Sequence, residues 1–126
     1  MNDELKEKLE QLKIEDTIWL IYIGIIILSW YSNDLERKYY INHDLEAKDK
    51  YRKIIIFIFS ILLVVYLYFL NSSINDIKNS KQTDSEKKKN LTYLSFIGSL
   101  LIAISGFIFL YIAINDEDLN VELAFN

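Results

Sequence analysis

Cysteine and proline are absent from this chain of 126 residues, and glycine occurs only three times. Without cysteine the chain can form no disulfide, no thiolate nucleophile and no thiolate metal site. With no proline and so few glycines, nothing in the sequence requires a helix kink or a re-entrant loop. The single histidine, His43, has no second histidine or cysteine with which to form a metal cluster.

The familiar signatures of chemistry are missing as well. The sequence contains no glycine-rich phosphate loop, no zinc-ligand pair and no nucleophile elbow. The net charge of −4 argues against a nucleic-acid partner. We therefore expect a protein that is not an enzyme and that uses no cofactor and no metal.

The most prominent feature of the sequence is a set of three long apolar runs that contain no charged residue: Ile18–Tyr31, Ile54–Leu70 and Leu91–Ile114. A soluble bundle keeps a polar stripe on each helix, whereas a helix that is apolar all round needs lipid or protein on every side. A chain this short cannot cover three such helices with protein. The absence of charge within the runs also excludes the usual proton relays and ion-coupling sites.

We therefore predict one all-α integral membrane domain over residues 1–126, with transmembrane helices near 17–32, 54–71 and 91–114. The first apolar run, at about 21 Å of helix, is shorter than a bilayer core of roughly 30 Å. Either the bilayer thins around it, or Asp16 enters the bilayer against a neighbouring helix. The third run, at about 36 Å, is ample.

The polar segments complete this prediction. Residues 1–16 are predicted to form an amphipathic helix, which Asn2 or Asp3 can cap. This helix continues without a break into the first span. Residues 33–53 extend the first two helices beyond the bilayer as an antiparallel hairpin, with Asp44 capping the second helix. Residues 78–90 form a loop in which Thr83 and Glu86 have capping-box spacing, so the third helix should begin near Asp84. Residues 115–126 form an acidic tail.

Three groups of residues are candidate interaction sites. Small residues let membrane helices approach closely, and the predicted helix-packing seam is Ser95, Gly98, Ser99, Ala103, Gly106 and, in the first helix, Gly24. This seam serves either oligomer formation or, as we prefer, packing within the chain. A predicted partner stripe at helical spacing is Leu5, Leu9, Leu12 and Asp16. Aromatic and basic residues at the ends of the spans are predicted interfacial anchors: Trp19, Trp30, Tyr31, Tyr51, Arg52 and Lys53.

Acidic residues after the third run offer carboxylate oxygens of the kind that divalent cations prefer: Asp116, Glu117, Asp118 and Glu122. They follow a helix C-terminus, where the helix dipole disfavours anions, and their spacing matches no known cation loop. We therefore interpret them as a solvated tail.

Lysine and arginine set the expected orientation. Eight of them lie in residues 1–16 and 71–90, and six lie in residues 32–53 and 115–126. The positive-inside rule then places the N-terminus in the cytoplasm and the C-terminus outside. The abundance of Ile, Asn and Lys suggests an AT-rich, bacterial genome.

The functional expectation is a small protein of the cell membrane that acts by assembly, as a scaffold or accessory subunit. Its partners would be the lipid bilayer together with copies of itself or a larger membrane complex. One alternative is a holin-like pore former or small channel, although the spans offer only scattered Ser and Tyr to line water. A second alternative is a small membrane immunity protein.

Overall fold

The computed structural model describes residues 2–123, and three long α-helices make up most of them. Helix α1 is Asp3–Asn42, α2 is Leu45–Lys78 and α3 is Glu86–Asn115. The predicted all-α fold with three helices is confirmed. The chain divides into two compact units, Met1–Ile54 and Ile55–Asn126, and the boundary falls within α2.

Helix α1 begins at a cap formed by Asn2. The backbone of Asn2 is extended, and its side-chain oxygen accepts a hydrogen bond from the amide of Leu5 at 2.7 Å. Asp3 and Glu4 place negative charge in the first turn, where the helix dipole favours it. Over its 40 residues, about 60 Å of rise, the amphipathic start and the apolar run form one helix.

Only two residues connect α1 to α2. His43 follows α1 in the left-handed conformation, with φ of 51°, which ends the helix. The Oδ1 atom of Asp44 then accepts hydrogen bonds from the amides of Glu46 and Ala47 at 3.1 and 3.2 Å. Asp44 thus caps α2, as the sequence predicted.

The connection between α2 and α3 is shorter than the predicted loop, because α3 begins at Glu86. Its cap is Ser85, whose hydroxyl accepts the amide of Lys88 at 3.1 Å, and not Thr83. Asp84 is engaged in a turn instead: its Oδ2 accepts the amide of Lys81 at 2.9 Å, and its own amide donates to the Lys81 carbonyl. Ser85 is therefore the first residue free to act as a cap.

Two of the three helices, α2 and α3, are long and apolar enough to cross a membrane. Helix α1 does not reach that standard among the described residues, although its length would suffice. Its charge-free stretch extends only from Thr17 to Asn33, between Asp16 and Asp34. The prediction of three apolar spans is thus met in α2 and α3 only.

Within the second unit, α2 and α3 pack side by side. The rings of Phe59 on α2 and Phe109 on α3 lie 5.8 Å apart between centroids. Ala103, Gly106 and Ala113 are the buried residues of α3. The fully buried positions of α3 are therefore all small residues, which allows its backbone to approach α2 closely.

Candidate functional site

The structure divides the small residues of α3 between two faces. Ala103 and Gly106 are buried and Ser99 is half-buried, whereas Ser95 and Gly98 are exposed. A Cβ atom added to Gly98 would meet no atom within 4 Å. The same is true of Gly24 on α1, so neither glycine makes a close helix contact.

The inward face of α3 follows a regular spacing of alternating four and three residues. Its members, all buried or half-buried, are Thr92, Phe96, Ser99, Ala103, Gly106, Leu110 and Ala113. This spacing averages 3.5 residues, the repeat that keeps one narrow stripe in contact with a neighbouring helix. Ser95 and Gly98 belong to the adjacent stripe, which explains their exposure.

Gly106 is the closest point of this contact. A Cβ atom at Gly106 would lie 3.0 Å from Cδ2 of Tyr66 and 3.2 Å from Cδ1 of Leu63, both on α2. These distances are shorter than ordinary van der Waals contact. The sequence identified Gly106 but not the residues opposite it, because neither Tyr66 nor Leu63 stands out within a uniformly apolar run.

Hydroxyl groups inside the apolar helices bond to their own helix. The Ser60 hydroxyl donates to the carbonyl of Ile56 at 2.7 Å, and the Ser105 hydroxyl donates to that of Leu101 at 2.9 Å. A hydroxyl bonded in this way can be placed in an apolar environment at little cost. These serines therefore fit contact with lipid or protein as well as contact with water.

The partner stripe of α1 lies on the surface. Leu5, Leu9 and Leu12 are 49%, 41% and 42% exposed. Asp16, one turn further along the same face, is exposed, and Glu15 is half-buried. Three leucines in one exposed row are an apolar surface that nothing else in the first unit covers.

The predicted interfacial anchors differ in exposure. Trp19, Trp30 and Tyr31 are exposed, as anchors at a membrane surface must be. Lys53 is exposed and Arg52 is half-buried. Tyr51 departs from the expectation, because only 6% of it is exposed.

The turn between α1 and α2 brings residues from both helices together. The ammonium group of Lys48 lies 5.2 Å from the ring centroid of Tyr39, within the range of a cation–π interaction. Leu35 on α1 and Ala47 on α2, which lie a few residues before and after this turn in the sequence, are both buried. His43 contributes to this turn by its left-handed backbone conformation, which ends α1.

The acidic residues after α3 form a turn. The Oδ1 of Asp116 accepts the amide of Asn120 at 2.9 Å, and its Oδ2 accepts that of Val121 at 2.8 Å. Asp116 is thus a structural residue and not part of a freely solvated tail, a role the sequence analysis missed. Residues 2–123 contain no group of three His, Asp or Glu side chains that could hold a metal ion. Residues 124–126 of the predicted tail lie outside the described part.

An open groove of about 520 Å³ lies where α2 ends and α3 begins. Its lining comes from both helices: Asp76, Ser85, Lys87, Lys88, Leu91, Thr92 and Ser95. Lys88 also pairs with Asp84 at 3.3 Å. The groove is therefore bordered by the basic residues Lys87 and Lys88 and by Leu91, where the apolar part of α3 begins.

No protein-family model, curated protein or solved structure matches this chain. The surfaces of the helices are therefore the features that bear on function.

Proposed function

We propose that this chain is a non-enzymatic integral membrane protein that acts by assembly, as a scaffold or accessory subunit. The observation that carries the proposal is the exposure of its apolar helices. Each of the two helices contains an apolar stretch of 18 residues, of which only 28% is buried in α2 and 17% in α3. The core helix of a soluble protein would be mostly buried, so lipid or a partner protein is the natural cover.

Helix α1 crosses the bilayer as a third span in this proposal. Trp19 and Trp30 are strongly exposed near the two ends of its charge-free stretch, which suits residues at the two membrane surfaces. The stretch is short, so the bilayer thins around it. Beyond the membrane, α1 and α2 continue as an antiparallel hairpin closed by His43 and Asp44.

The orientation follows from the basic residues. Lys87, Lys88 and Lys89 precede the apolar part of α3, and no lysine or arginine follows it. The positive-inside rule then places the α2–α3 connection and the N-terminus in the cytoplasm, and the turn at His43 and the C-terminus outside.

Because the chain has no cysteine, single introduced cysteines test this topology directly. We expect a membrane-impermeant maleimide to label Lys38→Cys and Asp118→Cys in intact cells, and to leave Glu7→Cys and Gln82→Cys unlabelled until the cells are lysed. All four positions are exposed. Labelling of positions 7 and 38 from the same side would show that α1 does not cross.

Assembly is tested by purification in mild detergent, followed by measurement of the oligomeric state and identification of co-purifying proteins. The expected result is a defined oligomer or a reproducible complex. A monomer that stays folded in buffer without detergent would refute the membrane proposal. Strong dye leakage from liposomes at a low protein-to-lipid ratio would favour a pore over a scaffold.

A further inference from the structure

The first 14 residues of α1 show a charge pattern that identifies the kind of partner they fit. Leu5, Leu9 and Leu12 occupy positions d, a and d of a heptad repeat, and Asp16 takes the next a position. The flanking e and g positions are Lys6, Lys8, Lys13 and Glu15. The other acids of the segment, Asp3, Glu4, Glu7 and Glu10, occupy positions away from the leucine row. The exposed leucines are thus flanked mostly by positive charge.

We propose that this face binds an amphipathic helix of another protein that has leucine-like residues at a and d and glutamate or aspartate at e and g. Such a partner buries the leucine row and pairs its carboxylates with Lys6, Lys8 and Lys13. A basic residue of the partner would lie opposite Asp16. The inference rests on the proposed assembly function and names the chemistry of the partner at this face.

A second copy of this chain fits the face less well. In a parallel pair, Lys8 at position g would face Lys13 at position e of the other copy, and two Asp16 side chains would meet. In an antiparallel pair, Lys6 would face Lys13 but Lys8 would face Glu15, so these charges offset one another, and each Asp16 would be buried against Leu5 of the other copy. Like charges therefore oppose the parallel pair, and an unpaired buried carboxylate opposes the antiparallel pair.

A membrane surface fits less well too. Residues 1–16 carry six acids and three lysines, so the segment has a net negative charge. Anionic leaflets attract helices whose polar face is rich in lysine and arginine, and they repel this one. A helix with acidic flanks would instead contact mainly Lys6, Lys8 and Lys13, because four of the six acids lie away from the leucine row.

The test uses the full chain in mild detergent and two fluorescent probe peptides of equal length. Both probes have leucine at the a and d positions, except for a lysine at the position opposite Asp16; one has glutamate at every e and g position, and the other has lysine there. Fluorescence anisotropy should show the glutamate probe binding at least about tenfold more tightly than the lysine probe, and less tightly as salt is raised. Equal binding of the two probes, or no binding of either, overturns the proposal.

Two variants locate the binding to this face. Leu9→Gln should weaken binding of the glutamate probe about tenfold. Ile14→Gln is the matched control, because Ile14 is also exposed, at 47%, but lies on the opposite side of the same helix. A loss of binding in Ile14→Gln equal to that in Leu9→Gln overturns the proposal.

Charge reversal and two further measurements complete the test. The triple variant Lys6→Glu, Lys8→Glu, Lys13→Glu should prefer the lysine probe. Dimer formation or vesicle binding that Leu9→Gln abolishes would overturn the proposal in favour of self-association or lipid. If complexes purified with the full chain survive Leu9→Gln, assembly stands and this inference fails; if the chain forms no complex at all, the assembly function fails independently of the probes.

Discussion

Gly106 on α3 lies so close to Tyr66 on α2 that a methyl group at Gly106 would come within 3.0 Å of the tyrosine ring. Between two apolar helices, close contact of this kind provides van der Waals packing, which holds helices together where no hydrophobic effect acts between them. Gly98, two turns earlier on the same helix, has no neighbour within 4 Å of an added Cβ. The two glycines therefore have different structural roles.

We predict that Gly106→Leu destabilises the α2–α3 pair by about 1–3 kcal/mol, because the larger side chain must displace Tyr66 and Leu63. Thermal unfolding in detergent measures the effect. Gly98→Leu is the control and should leave the melting temperature of the purified monomer nearly unchanged. Equal destabilisation by the two substitutions would contradict the packing described here.

His43→Gly should stabilise the turn between α1 and α2 by about 1 kcal/mol, because glycine adopts the left-handed conformation without the steric cost that histidine bears. His43→Val should destabilise it, since a β-branched residue suits that conformation least. Asn42→Gly is the control: Asn42 is the last residue of α1, and glycine in a helix lowers stability. The prediction fails if His43→Gly lowers the melting temperature.

Asp116→Ala removes the acceptor of the Asn120 and Val121 amides, and each lost bond contributes about 1 kcal/mol. We expect hydrogen exchange at these two amides to accelerate about tenfold while exchange within α3 stays the same. Glu117→Ala changes the adjacent exposed residue and should have no such effect. Unchanged protection in Asp116→Ala would show that the turn is held by other contacts.

The connection before α3 should respond to acid. The hydrogen bond from the Lys81 amide, followed by the side chain of Lys88, lowers the pKa of Asp84 below its usual value. A carboxyl whose pKa is lower in the folded state stabilises that state fully above its unfolded pKa, and the contribution disappears as pH falls through the lowered pKa.

An NMR titration of the Asp84 carboxyl should therefore report a pKa below the usual value of an aspartate side chain. Lys88→Ala should raise that pKa only part of the way, because the bond from the Lys81 backbone is the larger cause. Complete recovery of the usual pKa in Lys88→Ala would assign the shift to the ion pair instead.

Much of the helical framework was accessible from the sequence, because its causes are local. Asn2 and Asp44 are capping residues placed before helical patterns, and both cap as predicted. The cap of α3 was predicted too early, since Thr83 has the right spacing but Asp84 is committed to a turn with Lys81. Competition between two local hydrogen bonds decided that boundary.

The sequence by itself determined three helices, the apolar character of α2 and α3, and the row of leucines with flanking lysines at the start of α1, because each follows from the order of neighbouring residues. Only the tertiary structure decided which small residues of α3 face α2 and that Tyr51 is buried. On an apolar helix, two stripes of small residues separated by one position look alike in sequence. The neighbouring helix, through the approach of Tyr66 and Leu63, selects the stripe that contains Gly106.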